Sequence, residues 1–252
     1  MYQLTRLAQL VGLNAVPGFG FLKLHWTSGT ILTLYWIETL LGSMLVALRI
    51  DLHRRLTHKR GHYVTRKANT VTIGSGPQAK KVGTILGGFL AFAFPFTIVE
   101  GIFLAVILAN LPESDAIDFQ SLRFGVRLVT ALLAAGFLID LIGMRERPFF
   151  WIHRVTSAMQ SRVVVLFFVV FIGIGALAFF DAPRPALLAF VALKTFVDVA
   201  SELPESQTGE APQWQLAIAG LFGESRFAAY ARDANREYGT YSPDDEQVME
   251  VA

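Results

Sequence analysis

Apolar residues in this chain run in blocks of about twenty, separated by shorter stretches that collect most of its charge. Six blocks can be read, over residues 7–24, 29–48, 82–111, 126–144, 162–180 and 185–200. About twenty helical residues, rising about 1.5 Å each, cross the roughly 30 Å of hydrocarbon in a bilayer. The first block is interrupted by Asn14, Pro17, Gly18 and Gly20, and the sixth is short and holds Lys194 and Asp198. The third is long enough to tilt. The pattern predicts an all-α fold: a polytopic membrane helical bundle of about six transmembrane helices, with kinks at Pro17 and Pro95.

Composition agrees. Hydrophobic residues make up 53% of the 252 and charged residues 17%, where soluble domains carry about 25%. There is no Cys, which excludes disulfides, thiolate catalysis, Cys-bound zinc and iron–sulfur clusters. An alternative for the first block is a secretory signal starting at Arg6. It lacks a small-x-small cleavage site, and its removal would leave an odd number of spans.

The net charge is only +2, but its placement is informative. Lys and Arg crowd the segment 49–81 and the connection holding Arg145, Arg147, Arg154 and Arg162. The connection 112–122 carries Glu113, Asp115 and Asp118 instead. The positive-inside rule then places both termini and both basic loops of a multi-pass membrane protein in the cytoplasm. The expected organisation is a six-helix transmembrane domain over 1–201, with a basic cytoplasmic loop at 49–81, and a cytoplasmic tail over 202–252. In the tail, Trp214, Ile218, Leu221 and Phe222 recur at helical spacing, an amphipathic helix over 213–232 that would lie on the membrane or on the cytoplasmic loops. The acidic stretch Pro243-Asp244-Asp245-Glu246 is expected to be disordered.

The residues most informative about function are polar groups inside apolar blocks. Glu38, Glu100 and Lys194 each sit nine or ten residues from the outer end of a block, roughly 14–15 Å deep and so near the midplane. Asn14 reaches a similar depth, and Asp140 and Asp198 lie about a turn further toward the cytoplasm. Such residues usually face the bundle interior and pair, because a lone charge there costs at least ~2.5–3.5 kcal/mol. Lys194 and Asp198, four apart, share a helix face. A network of Lys194 with Glu38 or Glu100, extended by Asp198 and Asp140, would serve as a proton relay or as a site for a small cation or polar solute. The bland counterpart is a buried ion pair that fixes helix register. For Asp140 the bland reading is preferred, since Arg145 and Arg147 are close in sequence.

His53, His58 and His62 sit among Lys and Arg, which points to a solvated basic loop against anionic lipid headgroups rather than a metal cluster. Nucleic-acid binding finds no fold to support it. Gly74-Ser75-Gly76 before Lys80-Lys81 is not a P-loop, and no hydrolase motif is present. Trp26 and Trp151 stand where interfacial aromatic belts form. No cofactor is expected.

Asn14-x-x-Pro17-Gly18, Tyr35-Trp36-Ile37-Glu38, Arg162 and Leu193-Lys194-Thr195-x-x-Asp198 resemble a prokaryotic integral-membrane family catalogued as a domain of unknown function. The resemblance covers about residues 4–202, with Tyr-Trp-x-Glu and Leu-Lys-Thr-x-x-Asp as its specific pieces. It implies a six-helix membrane fold and draws attention to Glu38, Lys194 and Asp198. Members tend to carry His in the third and fourth helices, where this chain has Glu100 and Asp140, so His-dependent chemistry does not carry over. Three functions remain open: a protein that moves or binds a small polar or ionic species, a scaffold or assembly factor, and an intramembrane enzyme acting on lipid. A non-enzyme is the preferred expectation, since no nucleophile or metal set accompanies the carboxylates.

Overall fold

The computed structural model describes residues 2–63, 71–73, 80–82, 84–180, 191–192, 194–196, 198 and 243–249. These residues form an all-α chain of α1 (Tyr2–Lys23), α2 (Ser28–Thr57), α3 (Ile85–Asn110), α4 (Phe119–Leu141) and α5 (Phe149–Phe180), with helical conformation again within 191–198. A short hairpin lies between α2 and α3, β1 (Val71–Ile73) running antiparallel to β2 (Lys80–Val82) with Val71 opposite Val82. The amphipathic helix expected over 213–232 lies outside the described residues.

Three of the helices start where the sequence offers a cap. Thr27, Thr84 and Asp118 accept hydrogen bonds from backbone N–H groups of the first turns of α2, α3 and α4. α1 and α3 continue through Pro17 and Pro95. Two helices are longer than the apolar blocks predict. α2 runs on to Thr57, where His58 takes a left-handed conformation with φ 48°. Ion pairs from Asp51 to Arg54 and Arg55, at 2.6 and 2.7 Å, support this polar extension. α5 begins at Phe149 rather than near 162. The basic segment 49–81 therefore opens on a helix, and Arg49 stands within the bundle.

α2 is the hub, packing against α1, α3, α4 and α5. One apolar cluster, including Leu13, Trp26, Leu34, Tyr35 and Val129, fills the end near the α1–α2 turn. A second, including Val46, Ile50, Phe89, Phe149 and Ile152, fills the opposite end. Between them the buried face of α2 turns polar, at Glu38, Thr39 and Ser43. α2, α3 and the stretch Glu113–Leu141 are long and apolar enough to cross a membrane, yet only 28–39% of each apolar window is buried. Ile98, Ile102, Val106 and Leu138 point outward, each more than half exposed. Apolar residues turned outward along whole helices fit lipid surroundings better than water.

The two ends of the bundle differ in charge. At one, Ser28 Oγ donates to Asp115 at 3.3 Å and Thr30 Oγ1 accepts from the Asp118 backbone N–H at 2.9 Å, joining the α1–α2 and α3–α4 connections. Trp26 is buried there, its ring pressed on Gly20, where no Cβ would fit, and close against Gly125. It is a wedge between α1 and α4, not part of an exposed belt. At the other end Lys59 Nζ donates to the Arg147 carbonyl at 3.1 Å, drawing the two basic connections together.

That basic end corrects two expectations. The histidines are not a solvated loop, since His53 and His62 are fully buried and meet Nδ1 to Nε2 at 2.7 Å. His53 Nε2 faces the Arg147 carbonyl at 3.1 Å and so must donate to it, which leaves Nδ1 of neutral His53 to accept from His62. His62 Nδ1 is then a bare acceptor, and it has no hydrogen-bond partner among the described residues. Burial, reinforced by His53, Arg54 and Lys59, pushes His62 down to about 3 and holds it neutral. The extension of α2 explains the correction, because it carries His53 along the helix's buried face.

The acidic stretch of the tail is the second. Pro243–Glu246 forms a 3-10 turn, with Arg60 N–H donating to the Gln247 carbonyl at 2.8 Å and Met249 N–H to the His58 carbonyl at 2.9 Å. Glu246 accepts from Lys59 Nζ at 2.7 Å and from the Phe149 and Phe150 backbone N–H groups at 2.8 and 3.0 Å. A carboxylate from the tail thus caps α5, with both the helix dipole and a lysine in its favour. Burial would raise the Glu246 pKa, but these donors outweigh it and hold the carboxyl below its ordinary value.

Both groups lose their folded advantage in acid. The Glu246 contribution is present at neutral pH and lost as pH falls through its lowered value, and that of His62 is lost progressively from about 6.5 toward 3. Hydrogen-exchange protection of the Arg60 and Met249 amides, corrected for intrinsic rates, should therefore fall between pH 7 and pH 4. His62→Gln should reduce the part of the loss above pH 5.

Candidate functional site

Asn14, Glu38, Lys194 and Asp198 come together between the two apolar clusters, all four buried. The Lys194 ammonium donates to Glu38 Oε1 at 3.0 Å, to Asp198 Oδ2 at 2.9 Å and to Asn14 Oδ1 at 3.4 Å. Asn14 Nδ2 closes the ring by donating to Asp198 Oδ2 at 2.8 Å and to the Leu10 carbonyl at 3.1 Å. The Tyr35 ring lies under the ammonium at 4.6 Å. The fixed amide of Asn14 can therefore serve the cation with its oxygen and the carboxylate with its nitrogen. α1, α2 and the helical residues of 191–198 each supply part of the ring.

α5 adds Arg162, whose Nε lies 3.4 Å from Asp198 Oδ1. Asp198 thus stands between an ammonium and a guanidinium, while Glu38 Oε2 has no hydrogen-bond partner among the described residues. A cavity of about 40 Å³ opens on this group, lined by Glu38, Arg162, Lys194 and Asp198 and walled by Leu13, Leu133 and Met159. Arg162 keeps 23% of its side chain exposed.

The other two predicted residues lie elsewhere. Asp140 is buried in a separate pair of ion bridges, accepting from Arg49 Nε at 2.8 Å and from Arg147 Nη1 at 3.2 Å. The Arg49 guanidinium also covers the Phe137 ring at 5.2 Å. The arrangement fits the structural role preferred for Asp140, with Arg49 as the partner that the sequence alone does not suggest. The signal for it is periodicity: Glu38, Gly42, Val46, Arg49 and His53 follow one another at spacings of three or four along α2. Glu100 is 1% exposed on the Ala93–Thr97–Glu100–Leu104 stripe of α3, and neither of its oxygens bonds to a described residue. Depth follows from residue count, but direction around a helix axis does not. α3 packs on α2 and α5, while Lys194 reaches α1 and α2.

Among the described residues no group of three or more His, Asp or Glu is placed to hold a metal ion. The ring around Lys194 can hold or pass a proton, or exchange its internal cation for another. The Arg49–Asp140–Arg147 group is better suited to holding α2, α4 and the connection to α5 together. Asp140→Leu takes their shared carboxylate from Arg49 and Arg147 and should cost roughly 3–5 kcal/mol, read as a lower thermal unfolding midpoint in lipid. Arg49→Met in the same chain should recover most of that loss. A midpoint within 1 °C of wild type for Asp140→Leu would remove the bridge from the structural account.

No match to this chain was found among curated proteins or among solved structures. A family profile does match, over residues 1–215, and that span takes in both buried charge groups. The chain belongs to the family of unknown function DUF6498.

Proposed function

We propose that this is a multi-pass membrane protein that binds and moves a small polar or ionic species at the buried group formed by Asn14, Glu38, Lys194 and Asp198. The observation that supports this reading is the cavity of about 40 Å³ with three charged groups of the ring, and Arg162, on its wall. A scaffold needs no such space beside its buried charges; packing them without a void would be less costly. Glu38 would take up the proton or cation, its Oε2 being the ring oxygen without a bonded partner among the described residues. Lys194 would act as the resident cation that a solute must displace or complement. Asp198, between Lys194 and Arg162, would position both.

In this reading the basic end of the bundle is cytoplasmic, six helices span the membrane, residues 1–201 form the transmembrane domain and 202–252 the tail. The cytoplasmic membrane of a prokaryote is the proposed location, with anionic headgroups against the basic segment. The scaffold reading has one observation of its own, the tail residues docked by Glu246 on Lys59 and on the start of α5.

Proton flux into proteoliposomes, followed with an interior pH dye, tests the proposal. Wild type should carry a flux above empty vesicles, and Glu38→Gln and Lys194→Met should each lower it at least tenfold while remaining folded and monodisperse. Equal traces for all three proteins would leave the scaffold reading as the better one.

A further inference from the structure

Glu100 takes no part in either charge group inside the bundle. It is 1% exposed on α3, and neither of its oxygens bonds to a described residue. Its neighbourhood is aromatic. Phe96 and Phe103, one turn to either side on the same helix, both meet the Phe167 ring of α5 edge-on, with centroids 5.4 and 6.4 Å apart. From α2 the Trp36 indole N–H donates to the Thr97 carbonyl at 2.9 Å, and its ring lies against Gly101. The Thr97 hydroxyl is engaged too, donating to the Ala93 carbonyl at 2.8 Å. Titratable groups on the helices that pack against α3 are turned elsewhere. Tyr35 and Glu38 of α2 face Lys194, and Arg162 of α5 faces Asp198. Arg49 and the charges beyond it stand about 20 Å along α2 from Trp36, and His153 and Arg154 about 20 Å along α5 from Phe167. Of the smaller elements touching α3, β1 has no titratable residue, and Arg60 and His62 belong to the turn at the basic end.

We infer that Glu100 is a proton-binding site of its own, apart from the Lys194 group, whose carboxyl holds a proton in the seam between α2, α3 and α5 and exchanges it with solvent. A carboxylate buried without donor or counter-charge is far costlier than the neutral acid, for which an unmet hydrogen bond is the smaller loss. The proton is also the one cation that a single carboxyl oxygen satisfies. A metal ion needs several oxygens, and the Thr97 carbonyl and hydroxyl beside Glu100 are already engaged. A carboxyl with no partner fixes no register, so the role that suits Asp140 does not fit Glu100. The helix itself favours exchange. Pro95 brings no N–H, which leaves the Ala91 carbonyl without its usual helical donor, and Gly101 adds backbone freedom on the other side of Glu100. The stretch carrying the carboxyl is thus the one along which α3 loosens most readily.

Infrared spectroscopy of the full chain at pH 7 reads the proton directly, as the carbonyl stretch of a protonated carboxyl. Dodecyl maltoside micelles suit the measurement, because that detergent has no carbonyl of its own. Wild type and Glu38→Gln should both show the band, and it should move to lower wavenumber in heavy water. Glu100→Gln and Glu100→Leu should each reduce it at least tenfold; Leu suits the aromatic wall and keeps the test decisive should Gln disturb folding. A band unchanged in both Glu100 variants, or one that does not move in heavy water, overturns the inference. So does a wild-type band that vanishes when sodium or potassium chloride is added, which would make a metal ion the ligand. A band lost in Glu38→Gln and kept in both Glu100 variants would put the proton in the Lys194 group, overturning this site and leaving the proposed function in place. A Glu100 band together with equal proton-flux traces for wild type, Glu38→Gln and Lys194→Met would remove the Lys194 reading and support this site.

Discussion

An ammonium group held between two carboxylates, away from water, is the constraint around which this bundle is arranged. Lys194 contributes no stability by being buried; its burial has to be offset by partners at close range. Those partners come from different parts of the chain, Asn14 from α1, Glu38 from α2 and Asp198 from its own helix, with α5 attached through Arg162. Apolar surfaces between these helices could slide past one another with little change in energy, particularly in lipid. The ion pairs cannot, because a shift of one residue would leave a charge alone. Register among α1, α2 and the helical residues of 191–198 is thereby tied to a few hydrogen bonds.

The same logic repeats one step toward the basic end, where Asp140 ties α4 to α2 and to the connection before α5. It repeats again at the bundle's edge, where Glu246 ties the tail to Lys59 and the first turn of α5. Three such groups, each joining separate elements through carboxylates, follow one another toward the basic end. Between the first two lie cavities rather than packed side chains. Gly42, which lines both, supplies no side chain to fill them. Tight ion pairing and open space stand side by side in this interior.

The helices were legible in the sequence because apolar blocks of membrane length leave few alternatives, and so was the meeting of Asn14, Glu38, Lys194 and Asp198, which share a depth and carry charges too costly to leave alone. Glu100 shows the limit of the same argument. Its depth matches, but its direction around α3 depends on packing that residue spacing does not encode. Arg49 and His53 were obscured for another reason. Charge marks a loop in a hydropathy reading, whereas helical periodicity continues through the charged residues to Thr57 and keeps one face buried. Composition points the other way for residues 243–246: an acidic stretch looks solvated until a helix N-terminus and a lysine are found to receive it. Both depend on contacts between residues far apart in the chain.

The account stands on direct coupling between Lys194 and Glu38, and a double-mutant cycle measures that coupling most directly. Glu38→Gln, Lys194→Met and the double variant would be compared with wild type by reversible unfolding in one lipid mixture. The pair is suitable because removing both charges leaves Asp198 facing Arg162, so the double variant strands neither. The two changes should be non-additive by roughly 1–3 kcal/mol, with the double variant more stable than the sum of the single losses requires. Additivity to within about 0.5 kcal/mol would contradict it.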